Sequence, residues 1–78
     1  MTHKFMFTIN YIRGILFVTF DSLIVNGEIE VADDKGKIRV QKAFSDSNFE
    51  RIKLERLSGR ITVTIRYDHM QTKKTIYI

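Results

Sequence analysis

Residues 60–67 read R-I-T-V-T-I-R-Y, an unbroken alternation of polar and apolar positions. A period of two belongs to a strand with one face buried and the other wet, because successive side chains leave a pleat on opposite sides. Ile61, Val63, Ile65 and Tyr67 are therefore expected in the core, and Arg60, Thr62, Thr64 and Arg66 in water. The rhythm recurs at 4–12, where Phe5, Phe7, Ile9 and Tyr11 alternate with Lys4, Met6, Thr8 and Asn10. At 28–32 it puts Ile29 and Val31 inward and both glutamates outward. Residues 37–44 follow as a partner strand, with Ile38 and Val40 inward and Lys37, Arg39 and Gln41 outward. Lys42 interrupts that pattern, as at a bulge or a sheet edge. Residues 72–78 close the chain, with Ile76 and Ile78 inward and Lys73 and Lys74 guarding an edge.

The segments between these strands carry the turn chemistry. Gly14 ends the first strand, and the nearly all-apolar run 15–20 predicts a strand covered on both faces. Residues 21–27 read as a loop whose Leu23, Ile24 and Val25 cover one end of the core. Asp33-Asp34-Lys35-Gly36 is the clearest turn, since aspartate suits its early positions and glycine accepts the positive φ that follows. Residues 45–48 read as a polar loop and 68–71 as a turn.

Residues 49–57 are ambiguous. Ser47 with Glu50 resembles a helix capping box, with Gly59 placed to follow a helix end. Yet Phe49, Ile52, Leu54 and Leu57 make no single helical stripe, and Ile52 and Leu54 alternate with Arg51, Lys53 and Glu55. The pattern predicts a strand over 50–54 and a turn over 55–59. Six or seven short strands without a firm helix predict an all-β domain over 1–78, a small antiparallel β-sandwich. The alternative is a small five-stranded barrel with one short helix at 47–57.

Composition narrows how such a domain is held. Seventy-eight residues allow one small core. With no cysteine and two separated histidines, neither a disulfide nor a structural zinc is expected, so stability rests on aliphatic residues and six phenylalanines. The absence of cysteine leaves the compartment open. Asn10 and Arg13 interrupt the apolar N-terminal stretch, whose longest clean run is 15–18. A spanning helix needs about 20 apolar residues and a secretory core about 7–15, so neither is expected here.

Candidate chemistry is sparse. Asp33, Asp34 and Gly36 lack the D-x-D-x-D-G spacing and distant glutamate of a calcium loop. His69 beside Asp68, with Ser22, Ser45, Ser47 or Ser58, lacks a nucleophile elbow, and His3 has no ligand partner in sequence. No enzyme and no cofactor are expected. The net charge of +4 is interspersed, which permits weak anion binding without requiring it. Lys37, Arg39, Lys53, Arg60 and Arg66 are all expected outward and form a candidate anion- or partner-binding face. Single-strand binders place aromatics among such charges. Here Tyr67 is inward when Arg66 is outward, and Glu28 and Glu30 share the exposed side, so a merely solvated face is the plainer reading. Exposed strand edges offer another surface, open to a second protein or a second copy of the chain.

From Leu16 onward the chain runs L-x-V-x-F, G-E-I-E-V-x-D-x-x-G-K, I-x-L-x-x-L-x-G-x-x-x-V-x-I and finally K-K-T-I-Y-I. This layout resembles small β-sandwich modules of Bacteroidetes-type secreted proteins, including the C-terminal sorting domain of the type nine secretion pathway. The Asp33–Lys37 turn and the segment 52–59 carry the likeness; an aromatic after Gly59, usual in those modules, is replaced by Arg60-Ile61. The resemblance implies an immunoglobulin-like sandwich without catalytic residues, acting in protein interaction, surface assembly or secretion recognition. It also implies a periplasmic or extracellular setting. The alternative function is nucleic-acid binding by a small β-barrel through the basic strand face.

Overall fold

The computed structural model describes residues 6–78, so the expectation for Phe5 and Lys4 lies outside the described residues. Five antiparallel strands form one sheet: β1 (Phe7–Ile12), β2 (Ile15–Ala32), β3 (Ile38–Lys53), β4 (Arg60–Tyr67) and β5 (Met70–Tyr77). The fold is all-β, and no helix occurs among the described residues, including 47–57. The sheet curls into a half-barrel of five strands rather than the expected six or seven.

The strand count falls because two expected loops are strand. Residues 21–27 and 45–48 pair with each other, Ile24 opposite Ser47 and Asn26 opposite Ser45, and so fuse four short strands into β2 and β3. Each would run about 50–60 Å if straight, yet the longest molecular dimension is 38 Å. The ribbon must therefore fold over. It does so between the pairs Thr19–Phe49 and Ile24–Ser47, where four residues of β2, 20–23, stand opposite the single Asn48 of β3, a large bulge. Asp46, at φ 48, takes the left-handed conformation that aspartate tolerates, on the β3 side of the bend.

Folding over gives two halves. The first contains β1, residues 15–20 and residues 49–53. The second contains residues 38–47, residues 24–32, β4 and β5. Their inner faces share one core in which Phe7, Leu16, Val18 and Ile52 of the first half meet Ile29, Val31, Ile61, Val63 and Ile65 of the second. Run 15–20 is thus covered on one face only: Leu16, Val18 and Phe20 are buried, whereas Ile15 and Phe17 are partly exposed and Thr19 is in water. In β4 the expected core side chains are buried, apart from a half-buried Tyr67. Thr64 is the departure: it is buried on the outer face, between Glu30 and Lys73 in register, where long polar neighbours lay their stems over it. Ile38 is also displaced. Val31 faces Val40 but Ala32 faces Ile38, so Arg39 is an extra residue, and the parity flip leaves Ile38 47% exposed.

Two inward lysines close the seams between the halves. Lys42 shares the inner face with Ile29 and reaches Glu50 at 2.8 Å, also donating to the Arg51 carbonyl at 3.3 Å. Lys74, opposite Val63, donates to the Phe7 carbonyl and lies 5.1 Å from the centre of the Phe7 ring. The break in alternation at Lys42 therefore marks an inward charge on an edge strand.

At the fold, Phe44 stacks on Phe20, ring centroids 5.2 Å apart, and covers its cross-strand partner Gly27. A Cβ at Gly27 would come within 2.5 Å of the Phe44 ring; an aromatic laid over a strand glycine is a known device for curving sheets. A domain of this size holds on the order of 4–12 kcal/mol of stability, so crowding here takes a large share. Gly27→Ala should cost about 1–3 kcal/mol by overpacking, and Phe44→Leu in the same chain should recover part of the loss. Urea denaturation of both variants checks the pairing.

Candidate functional site

The sequence placed five cations on one face. Three gather at one end of the second half, around the β2–β3 turn. Asp33 organises that turn: its carboxylate accepts from the Lys35 and Lys37 amides at 3.0 and 2.9 Å, and its carbonyl from the Gly36 amide. Lys37 projects from the turn into water. Arg39 pairs with Asp33 at 3.3 Å, and Arg60 donates to the Asp34 carbonyl at 3.4 Å. Arg66 lies six positions along β4 from Arg60, about 20 Å away. Lys53 belongs to the first half, yet the fold-over brings it with Arg39 to a shallow cleft that Val40, Glu55 and Leu57 also line.

These cations are largely committed. Arg66 bonds Glu30 at 2.6 Å, Glu28 at 3.5 Å and Gln71 at 3.1 Å, while Gln41 donates to Glu30 at 3.2 Å. Lys53 meets Glu55 at 3.1 Å, both well exposed. The hydrogen bond from Arg66 holds the Glu30 carboxyl below its ordinary range, against a smaller opposing effect of burial. The Lys37 amide does the same for Asp33. Burial pushes Glu50 up, but hydrogen bonds from Lys42 and Ser47 more than offset it, so Glu50 also sits low. The Ser47–Glu50 pair that looked like a helix cap instead braces the bend of β3, where Ser47 Oγ also bonds the Phe49 backbone.

The outer face of the first half is different. Register sets nine residues in three rows across β3, β2 and β1: Phe49, Thr19 and Thr8; Arg51, Phe17 and Asn10; Lys53, Ile15 and Ile12. Phe17 and Phe49 stack there, centroids 6.1 Å apart and planes 24° from parallel, with Phe49 half exposed. Arg51 is exposed and, among the described residues, forms no ion pair. Sequence reading missed this pair because Phe17 sits inside a run expected to be covered on both sides. Phe49 was legible: it shares odd parity with Arg51 and Lys53, against buried Ile52 and Leu54.

Two further clefts flank the bend. Met6, Phe7, Thr8, Thr19, Phe20, Asp21 and Lys74 line one. The other, beside the exposed Leu23, Val25 and Met70, is bordered by Tyr67 and Asp68. Burial, with the charges of Asp21 and Asp68, raises the Tyr67 hydroxyl above 10.0. Among the described residues no group of three or more acidic, histidine or cysteine side chains could hold a metal ion. Among the described residues no helix is long and apolar enough to cross a membrane. No protein-family model and no curated protein matches this chain.

Glu30, Asp33 and Glu50 hold folded values below their ordinary 4.5, 3.8 and 4.5. Depressed carboxylates stabilise the fold above those ordinary values, and the contribution fades as pH falls through and below them. The urea midpoint should therefore be flat near neutrality and drop between about pH 5 and pH 3. Glu30→Gln should lower the neutral midpoint and flatten that drop.

Proposed function

We propose that this domain is a non-enzymatic binding module that engages another protein by strand addition at the open edge of β3. One observation carries the reading: among the described residues the sixteen of β3 pair with β2 alone, so their other row of backbone N–H and C=O groups has no described strand beside it. An extended segment gains main-chain hydrogen bonds on such an edge, and pockets for alternate side chains supply selectivity. Residues 38–43 fit best, because the parity flip leaves Ile38 as an exposed apolar contact beside Arg39 and Gln41. Lys42 and the bend at Asp46 limit how long an added strand can be, as edge protection requires. The serines and His69 support no competing catalytic reading, since Ser47 is spent on Glu50 and Phe49 while His69 projects from the β4–β5 turn.

The two halves of the folded sheet stand where the layers of a small sandwich would. That arrangement is compatible with the immunoglobulin-like layout; the surface-assembly or secretion-recognition role rests on the resemblance to secreted sorting modules alone. Hydrogen exchange tests the edge directly. Alternate amides within 38–43 should exchange rapidly in the free domain, while those facing β2 are protected. Uniform protection along the segment in a monomeric sample would remove the proposal.

A further inference from the structure

We infer that the outer face of the first half is a binding platform for single-stranded nucleic acid, centred on Phe17, Phe49 and Arg51. The inference is independent of the β3 edge, because it uses the pleat's outer surface and the opposite end of that strand.

The nine-residue grid is three strands wide and three rows deep, about 10 Å by roughly 13 Å, which suits two or three nucleotides. Its two aromatic rings lie nearly parallel, and Phe49 is half in water. An exposed pair of this kind gives an unstacked base a π-face to lie on, whatever its identity. Thr8, Asn10 and Thr19 are exposed around the rings and provide hydrogen-bond donors and acceptors for sugar and base edges. Arg51 and Lys53 line the β3 side, placed to follow a phosphate backbone.

Charge complementarity selects this occupant. On the second half, Arg39 and Arg66 already face carboxylates of their own chain. None of the nine grid residues is acidic; carboxylates stand only at its borders, Glu55 against Lys53 at one end and Asp21 beside Thr8 and Thr19 at the other, both away from Arg51 in the middle row. Phosphate would therefore meet Arg51 without displacing an internal partner. A duplex keeps its bases stacked and cannot use the rings, so the platform is specific for single strands.

The test is fluorescence anisotropy with labelled oligo(dT) and oligo(rU), each about twelve nucleotides long, and a duplex of equal length. The single strands should bind with a Kd on the order of 10–100 µM at low salt, weakening with a log–log slope near 0.7 per phosphate contacted. Comparable affinities for the two would assign recognition to base and phosphate, and a marked preference for oligo(rU) would add the 2′-hydroxyl. Phe49→Leu, which keeps an apolar group, should weaken binding at least about fivefold, and Phe49→Trp should retain it. Arg51→Gln should lower the salt slope by about 0.7, while Lys37→Gln leaves affinity unchanged. Circular dichroism melts confirm that each variant is folded. Absent binding at low salt, equal affinity for the duplex, or sensitivity to Lys37 rather than Phe49 would each overturn the inference.

Discussion

The β2–β3 ribbon stays paired through its own bend, and every other element takes its place from that. A ribbon bulged at Thr19–Ile24 turns one sheet into two facing halves. β1 and β4 then occupy successive stretches of the same long strand, and β5 extends the second half. The bend holds because Phe44 and Phe20 fill its inside while Gly27 leaves room for the ring. Without that curvature the inner residues of 15–20 and of β4 would face water on opposite ends of a flat sheet, and no core would form.

Much of this was legible in the residues. The alternation at 28–32 and 60–67, the Asp33–Gly36 turn and the strand at 50–54 all follow from local chemistry, and all are present. Continuity through 21–27 and 45–48 was not. Asp, Ser, Asn and Gly at those positions have the composition of loops, and what makes them strand is their pairing with one another, a non-local fact. Ile38 and Thr64 departed from their parity for similar reasons, one through a bulge and one through neighbours on adjacent strands. Of the five candidate cations, the pattern gave their exposure correctly in outline but could not show that Arg39, Lys53 and Arg66 pair with carboxylates.

The molecule divides its charge unevenly. The second half cross-links its surface, with Glu30 joining Gln41, Arg66 and, through Arg66, Gln71. Isolated surface pairs add little stability, whereas a network on one sheet face fixes side chains in place. The first half keeps its outer surface apolar and cationic, with the stabilising ion pair turned inward between Lys42 and Glu50. The outer face of one half is thus cross-linked by charge, and that of the other is not.

The route by which the chain reaches this state follows from the pairing of Gly27 with Tyr67. The β2–β3 hairpin can zip outward from its turn using neighbours close in sequence, but β4 docks on β2 through pairs thirty to forty residues apart, from Ala32–Thr62 to Gly27–Tyr67. The entropy of closing that loop is spent before the docked contacts repay it. The kinetic bottleneck therefore lies in bringing the last two strands home, and until they arrive the greasy side of the hairpin stands uncovered.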